Sequence, residues 1–317
     1  MDGAPPDRAL PGGSGDRGAV GLSAPSLAHP AEIAVLPVLA LLLYATFHAM
    51  PCGHIGRAVG DRRFLTSILV LNFVLVPIVV WLLSRIVAHD QVLLVGVLFV
   101  LLTPCIDYVI VFAGLAGGDA GRLLAAAPLL MLAQMLLLPA YLWLMVGEEF
   151  VGSIEFGPFL EAFVLIIALP FVAAALTQLA ARRTRAGAAW QRLAQGAMVP
   201  LMVVTLAVVV VSQIAAVGAR LGALLLMVPV YVLFAAIMVA VGAVVSSWRG
   251  MDVAGRRALT FSGVTRNSLV ILPLVLALPA AFDLAPLVVV TQTLVELIVM
   301  VVLVRLIPRV IPAAVRP

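Results

Sequence analysis

The sequence predicts an all-α integral membrane protein of about nine transmembrane helices. Of its 317 residues 64% are hydrophobic and 11% are charged, against roughly 45–50% and about 25% in soluble proteins. The apolar residues gather into nine long runs separated by short polar breaks, and arginines concentrate in alternate breaks. A soluble fold of this length could not cover its surface with so few charges, and a disordered chain is poor in apolar residues.

Residues 1–31 differ from the rest, with Gly and Pro at 11 of the first 30 positions, and read as a disordered tail. The stretch from Gly18 to Ala28 is too short and polar to span a bilayer and lacks the basic start of a secretory signal. A spanning helix needs about 20 predominantly apolar residues. The segments that qualify are 32–50, 64–87, 91–115, 123–146, 158–180, 195–217, 222–246, 258–280 and 285–306. They form a transporter domain over 32–306, with 307–317 as a second tail. Most segments contain Pro or Gly, including Pro77, Pro104, Pro128, Pro139, Pro170, Pro200 and Pro273. In lipid such residues survive where neighbouring helices or a cavity satisfy the freed backbone groups, which favours a transporter bundle over a set of anchors.

The net charge of +4 comes from 19 arginines without any lysine. Fourteen of them, from Arg57 to Arg316, fall in the breaks after segments one, three, five and seven and beyond segment nine. The opposite breaks hold only Arg85 and Arg220. The positive-inside rule therefore predicts a plasma-membrane protein with its N-terminus outside and its C-terminus in the cytoplasm. Topology explains the basic character, so no nucleic-acid partner is expected. Cys52 and Cys105 lie in different segments, which argues against a disulfide framework.

Three ionisable side chains remain inside apolar runs: Asp107, Arg266 and Glu296. Such residues are costly in a bilayer and mark functional sites by default. Asp107 follows Pro104 and the thiol of Cys105. Arg266 sits in a polar cluster of Thr265, Asn267 and Ser268, and Glu296 has Gln292 one turn earlier on the same face. The stretches around Asp107 and Asn267 resemble each other and lie five segments apart, so they cross the membrane in opposite directions. Polar, interrupted helices at matching positions of two inverted halves point to a transporter's midplane site.

Plainer readings compete with each of these. Asp107 and Arg266 make a candidate buried ion pair, and an isolated Cys105 is an ordinary small core residue. Asn72 with Pro77 reads as helix packing. His48 and His54 bracket a membrane edge, which accounts for them without a proton-sensing role. Glu161 can snorkel to its helix end, and Cys52 receives no role.

At these residues the sequence resembles the bile acid:sodium symporter superfamily, and most closely its arsenite efflux permease branch. The match rests on Cys105-Ile106, Val109-Ile110-Val111-Phe112 and Leu115-Ala116-x-Gly118-Asp119 in one register. Leu71-Asn72-Phe73 with Pro77, the stretch from Thr265 to Leu269, and Leu294-Val295-Glu296 add to it, over about residues 38–306. The resemblance implies ten helices in two inverted five-helix repeats with two discontinuous helices crossing at the midplane, the first helix being absent here. It also implies that Cys105 and Glu296 are the residues required for transport. Three features depart from the pattern: Ala113-Gly114 replaces an Asn-Asp pair, Asp107 replaces a small apolar residue, and Arg266 is an addition.

The leading expectation is arsenite or antimonite efflux by proton antiport, with substrate contacts from Cys105, Asp107, Thr265, Arg266, Asn267 and Ser268. Glu296 and Gln292 would handle the coupling ion. A cysteine supplies the soft ligand that a thiophilic metalloid prefers. The alternative is a sodium-coupled symporter of an organic anion, to which Arg266 offers a counter-charge. A membrane sensor that binds without moving its ligand is the third. No H-E-x-x-H or G-x-S-x-G constellation is present, so no enzyme, resident metal or cofactor is expected. The partners are the lipid bilayer, a small inorganic or organic anion or metalloid, and a proton or sodium ion.

Overall fold

A computed structural model describes residues 24–49, 61–147, 163–181 and 185–313, together with Gly157 and Glu161. Among these, the helices are α1 (Ala24–Ala49), α2 (Arg62–Ser84), α3 (Gln91–Leu101), α4 (Tyr108–Leu115) and α5 (Ala120–Val146). They continue as α6 (Leu169–Ala181), α7 (Arg185–Trp248), α8 (Val253–Val264), α9 (Ser268–Leu276) and α10 (Ala285–Val310). No strand occurs among the described residues, and one isolated antiparallel bridge joins Pro104 to Arg266. The chain is an all-α membrane protein.

Aspartates set several helix starts by accepting the otherwise unpaired first-turn amides. Asp61 Oδ1 accepts from Phe64 N at 3.0 Å, Asp90 Oδ1 from Val92 N at 2.9 Å, and Asp119 Oδ1 from Arg122 N at 3.0 Å. By length and composition Arg62–Ser84, Ala120–Val146, Leu224–Trp248 and Ala280–Val310 can each cross a membrane. Their outer faces are apolar: Leu132, Leu136 and Leu144 on α5, and Leu294, Ile298 and Val302 on α10, are all exposed. Such continuous apolar surface belongs against acyl chains rather than water.

Small residues bring the inner helices together, as membrane bundles require. A Cβ on Gly96 of α3 would lie 2.8 Å from the Val288 Cβ of α10, and one on Gly242 of α7 would lie 2.9 Å from the Thr260 Cα of α8. On another side, α1 packs against α6 and α7. There the Tyr44 hydroxyl donates to Thr177 Oγ1 at 3.0 Å and accepts from Trp190 Nε1 at 3.0 Å.

Three local expectations are corrected. First, the break expected between segments 195–217 and 222–246 is helical, so α7 runs unbroken through both apolar stretches. The junction Gly218-Ala219-Arg220-Leu221-Gly222 contains no proline, and an isolated glycine only weakens a helix by about 1 kcal/mol. Second, residues 24–31, read from the sequence as part of the tail, are helical, and Pro30 and Pro37 lie inside α1. Third, His48 is fully buried, stacked on Tyr44 with its Nδ1 3.5 Å from Ala174 O, not placed at an open membrane edge. Cys52 and His54 lie outside the described residues.

Candidate substrate and ion-coupling site

Segments three and eight are each broken in the middle. The first gives α3, an extended stretch around Pro104 to Asp107, and α4; the second gives α8, a short break around Arg266, and α9. The two breaks lie across each other antiparallel. Cys105 N donates to Thr265 O at 3.2 Å, and Asn267 N donates to Thr103 O at 2.8 Å. The pairing sets Thr103 opposite Asn267 and Cys105 opposite Thr265 around Pro104 and Arg266. The two breaks match further: Thr103 Oγ1 donates to Phe99 O at 3.1 Å, and Thr265 Oγ1 donates to Phe261 O at 2.9 Å. Each half thus carries a Phe and a Thr four residues apart at the end of its first half-helix. In this register Cys105, not Asp107, is the counterpart of Asn267.

Four half-helix ends meet at the crossing. The carboxyl-terminal ends of α3 and α8 present unpaired carbonyls and partial negative charge, while the amino-terminal ends of α4 and α9 present partial positive charge. The side chains follow this division. Arg266 Nη2 donates to Ser262 O and Gly263 O, each at 2.7 Å, and Nη1 to Leu101 O at 3.3 Å, so the guanidinium closes both carboxyl-terminal ends. It also meets Asn72 Oδ1 at 2.9 Å and the Phe234 ring at 5.4 Å. Asp107 and Asn267 instead occupy the N-cap positions of α4 and α9, where Asn267 Oδ1 accepts from Val270 N at 3.4 Å.

The Asp107–Arg266 ion pair considered from the sequence is therefore absent. Opposite helix ends claim the two charges, and among the described residues Arg266 makes no ion pair at all. Asn72 is likewise more than packing: besides Arg266 it meets Ser262 Oγ at 3.0 Å and Ile68 O at 3.0 Å. It stands in the π-helical turn Leu71–Leu75, which carries its amide into the crossing.

Glu296 reaches the crossing from α10. Its Oε1 accepts from the Tyr108 hydroxyl at 2.6 Å, and its Oε2 accepts from Arg266 N at 2.9 Å and from Gln292 Nε2. The carboxylate thus meets a hydroxyl, a main-chain amide and a side-chain amide, and the Arg266 charge points elsewhere. A cavity of about 10 Å³ lies beside Glu296 and Gln292, bounded by Tyr231 and Phe234 among others; it has room for about one water. The Cys105 thiol is fully buried, within electrostatic range of Asp107 and Glu296.

Several buried polar atoms here lack a partner: Asp107 Oδ1, Asn267 Nδ2, Ser268 Oγ and Gln292 Oε1. Unpaired groups of this kind cost about 1–3 kcal/mol each, and three of the four gather at the two half-helix starts, which suits a polar ligand. A larger cavity, about 320 Å³, is lined by Asp61, Phe64 and Arg122 and shares no residue with the crossing.

The sequence comparisons agree with this architecture. A family model described as the sodium bile acid symporter family matches residues 36–220, more than half of the chain. The chain belongs to the sodium bile acid symporter family. It is accordingly a multi-pass transmembrane transporter. The family match takes in Asn72, Cys105 and Asp107, whereas Thr265 to Ser268, Gln292 and Glu296 lie beyond it. Comparison with curated proteins gives no match.

All eight residues expected at the site surround the crossing or the Glu296 cluster next to it. Sequence reasoning missed Tyr108, Ser262 and the part played by Asn72. The repeated Phe-x-x-x-Thr at 99–103 and 261–265 was a readable signal for the register.

Proposed function

We propose that this transporter exports arsenite, and antimonite with it, from the cytoplasm in exchange for protons. The observation that carries the proposal is the setting of Glu296: a buried carboxylate at the crossing, held by Tyr108, Gln292 and Arg266 N, with the Arg266 guanidinium in electrostatic range but making no ion pair with it. A carboxylate without a direct salt bridge can take and release a proton as the site alternates, because no contact ion pair has to be broken. Cys105 stands in the opposite break and supplies the soft ligand. Its thiol exchanges with one hydroxyl of As(OH)₃ and releases water. One thiol holds the metalloid reversibly, which suits transport. Asp107, Thr265, Asn267 and Ser268 line the passage, and the membrane is the plasma membrane.

Two observations favour a second reading, a sodium-coupled importer of an organic anion. The family's description names sodium and bile acid, and Asn267 Nδ2 and Ser268 Oγ sit unpaired at the positive end of α9. Arg266 no longer argues for it, since its guanidinium meets carbonyls. Arsenite flux and sodium flux in the same proteoliposomes separate the readings. Arsenite movement driven by a pH gradient in sodium-free buffer supports export, and organic-anion uptake that requires sodium and survives collapse of the pH gradient selects the second.

A further inference from the structure

The guanidinium of Arg266 sits in surroundings that a guanidinium does not require. Three oxygens crowd its Nη2 atom: Ser262 O at 2.7 Å, Gly263 O at 2.7 Å and Asn72 Oδ1 at 2.9 Å. Nη2 has two protons, so the acceptors outnumber the donors. All three oxygens are neutral, as is Leu101 O beside Nη1. No carboxylate touches the guanidinium, and Glu296 acts on it only through space. Oxygen cages of main-chain carbonyls and side-chain amides are how proteins hold hard metal cations. Carboxyl-terminal ends and unwound carbonyls of discontinuous helices are where transporters place coupling cations.

We infer that Arg266 is a tethered cation filling an oxygen cage that would otherwise bind a monovalent metal ion, so that the carrier works without sodium at its crossing. The inference deepens the transporter reading above, on which it rests, by naming what stands in for the coupling metal ion.

The cage is fixed without help from Arg266. Asn72 Nδ2 donates to Ile68 O and to Ser262 Oγ, which turns Oδ1 inward. Ser262 and Gly263 belong to the last turn of α8, and Thr265 Oγ1 holds that turn through Phe261 O. Removing the side chain therefore leaves a ring of oxygens, not a collapsed gap. With the guanidinium present, a sodium ion at the same oxygens would meet both a filled volume and a like charge at contact distance. Electroneutrality then falls to the protonation of the two nearby carboxyl groups, Asp107 and Glu296, and a site whose fixed charge never leaves is suited to cycling protons.

The test uses the full chain in detergent, with thermal unfolding measured in sodium chloride and in choline chloride at equal ionic strength. The wild type should melt at one temperature in both salts. Arg266→Ala should melt lower in choline and recover in sodium, with half-saturation at a sodium concentration at least about tenfold below any at which the wild type responds. Arg266→Gln, which keeps an amide donor for the carbonyls, is read in the same way if the alanine variant does not fold. Sodium-specific stabilisation of the wild type overturns the inference. So does a folded variant that melts alike in both salts, which would make Arg266 a staple between the breaks and nothing more. Variants that fold in neither salt also count against it, because the emptied cage then fails to take sodium. None of these readouts involves arsenite, so loss of the proposed substrate would leave the result standing.

Discussion

The Tyr108 hydroxyl meets Glu296 Oε1 at 2.6 Å and ties the half-helix that follows one break to the last helix of the chain. Tyr108 Oη also lies 3.1 Å from Arg266 O, in the opposite break. One phenol therefore stands at the junction of both breaks and the carboxylate. Hydrogen bonds to charged groups contribute about 1.5–3 kcal/mol, so Tyr108→Phe should lower stability by that order while the ring keeps its edge contact with Phe112. A double-mutant cycle with Glu296→Gln, read by thermal unfolding, should show a coupling of about 0.5–3 kcal/mol. Simple additivity would mean that the pair is incidental.

Glu296→Gln keeps one oxygen, for Arg266 N and Gln292 Nε2, turns an amide N–H toward Tyr108, whose hydroxyl can donate to Arg266 O instead, and cannot carry a proton. The variant should fold and lose arsenite transport driven by a pH gradient. Substrate binding, measured by substrate-dependent thermal stabilisation, should persist. Loss of binding along with flux would place Glu296 in substrate contact instead.

Asn72→Leu removes an acceptor from a buried cation and leaves Ser262 Oγ without its amide donor. Leaving buried partners unsatisfied costs about 1–3 kcal/mol or more where charge is involved. Chemical denaturation should show at least that loss. A packing role alone predicts a smaller change, because leucine and asparagine have the same number and branching of side-chain heavy atoms.

Gly242→Leu tests the close approach of α7 and α8. Its Cβ would meet the Thr260 main chain at 2.9 Å, where no side chain can swing away. Overpacking of this kind costs about 1–3 kcal/mol, and thermal unfolding should show it. Gly222→Leu, with open space around its would-be Cβ, is the control and should change stability little.

Arg122 draws together three helix starts. Its side chain pairs with Asp61 at 3.1 Å, Asp119 at 3.3 Å and Asp252, which head α2, α5 and α8. The group is about a third exposed, so screening limits its worth. Arg122→Gln should cost about 1 kcal/mol or less, and the loss should shrink as salt rises.

Composition and hydropathy carried the fold class, because a bilayer enforces apolar runs that no soluble chain tolerates. The broken helices were legible for the same reason: Pro104 and the cluster from Thr265 to Ser268 interrupt stretches that are otherwise uniformly apolar. Glu296 and Gln292 were legible through the one-turn spacing that places them on one face. Partnerships were harder. Asp107 and Arg266 look like a pair when charge is the only guide, yet helix ends also carry charge, and these attract the two residues to opposite termini. The role of Asn72 depends on a π-helical turn that no local pattern announces. The unbroken course of α7 runs against the expectation that a polar residue such as Arg220 marks a turn. Helix propensity between two glycines was enough to carry the chain through.

The central claim is that Cys105 receives the metalloid while Glu296 exchanges the proton. Everted membrane vesicles acidified inside test it most directly, comparing wild type with Cys105→Ser at matched protein levels and matched melting temperatures. The account predicts that the wild type accumulates arsenite without sodium and that Cys105→Ser loses most of that uptake. Accumulation by Cys105→Ser at the wild-type rate would contradict it.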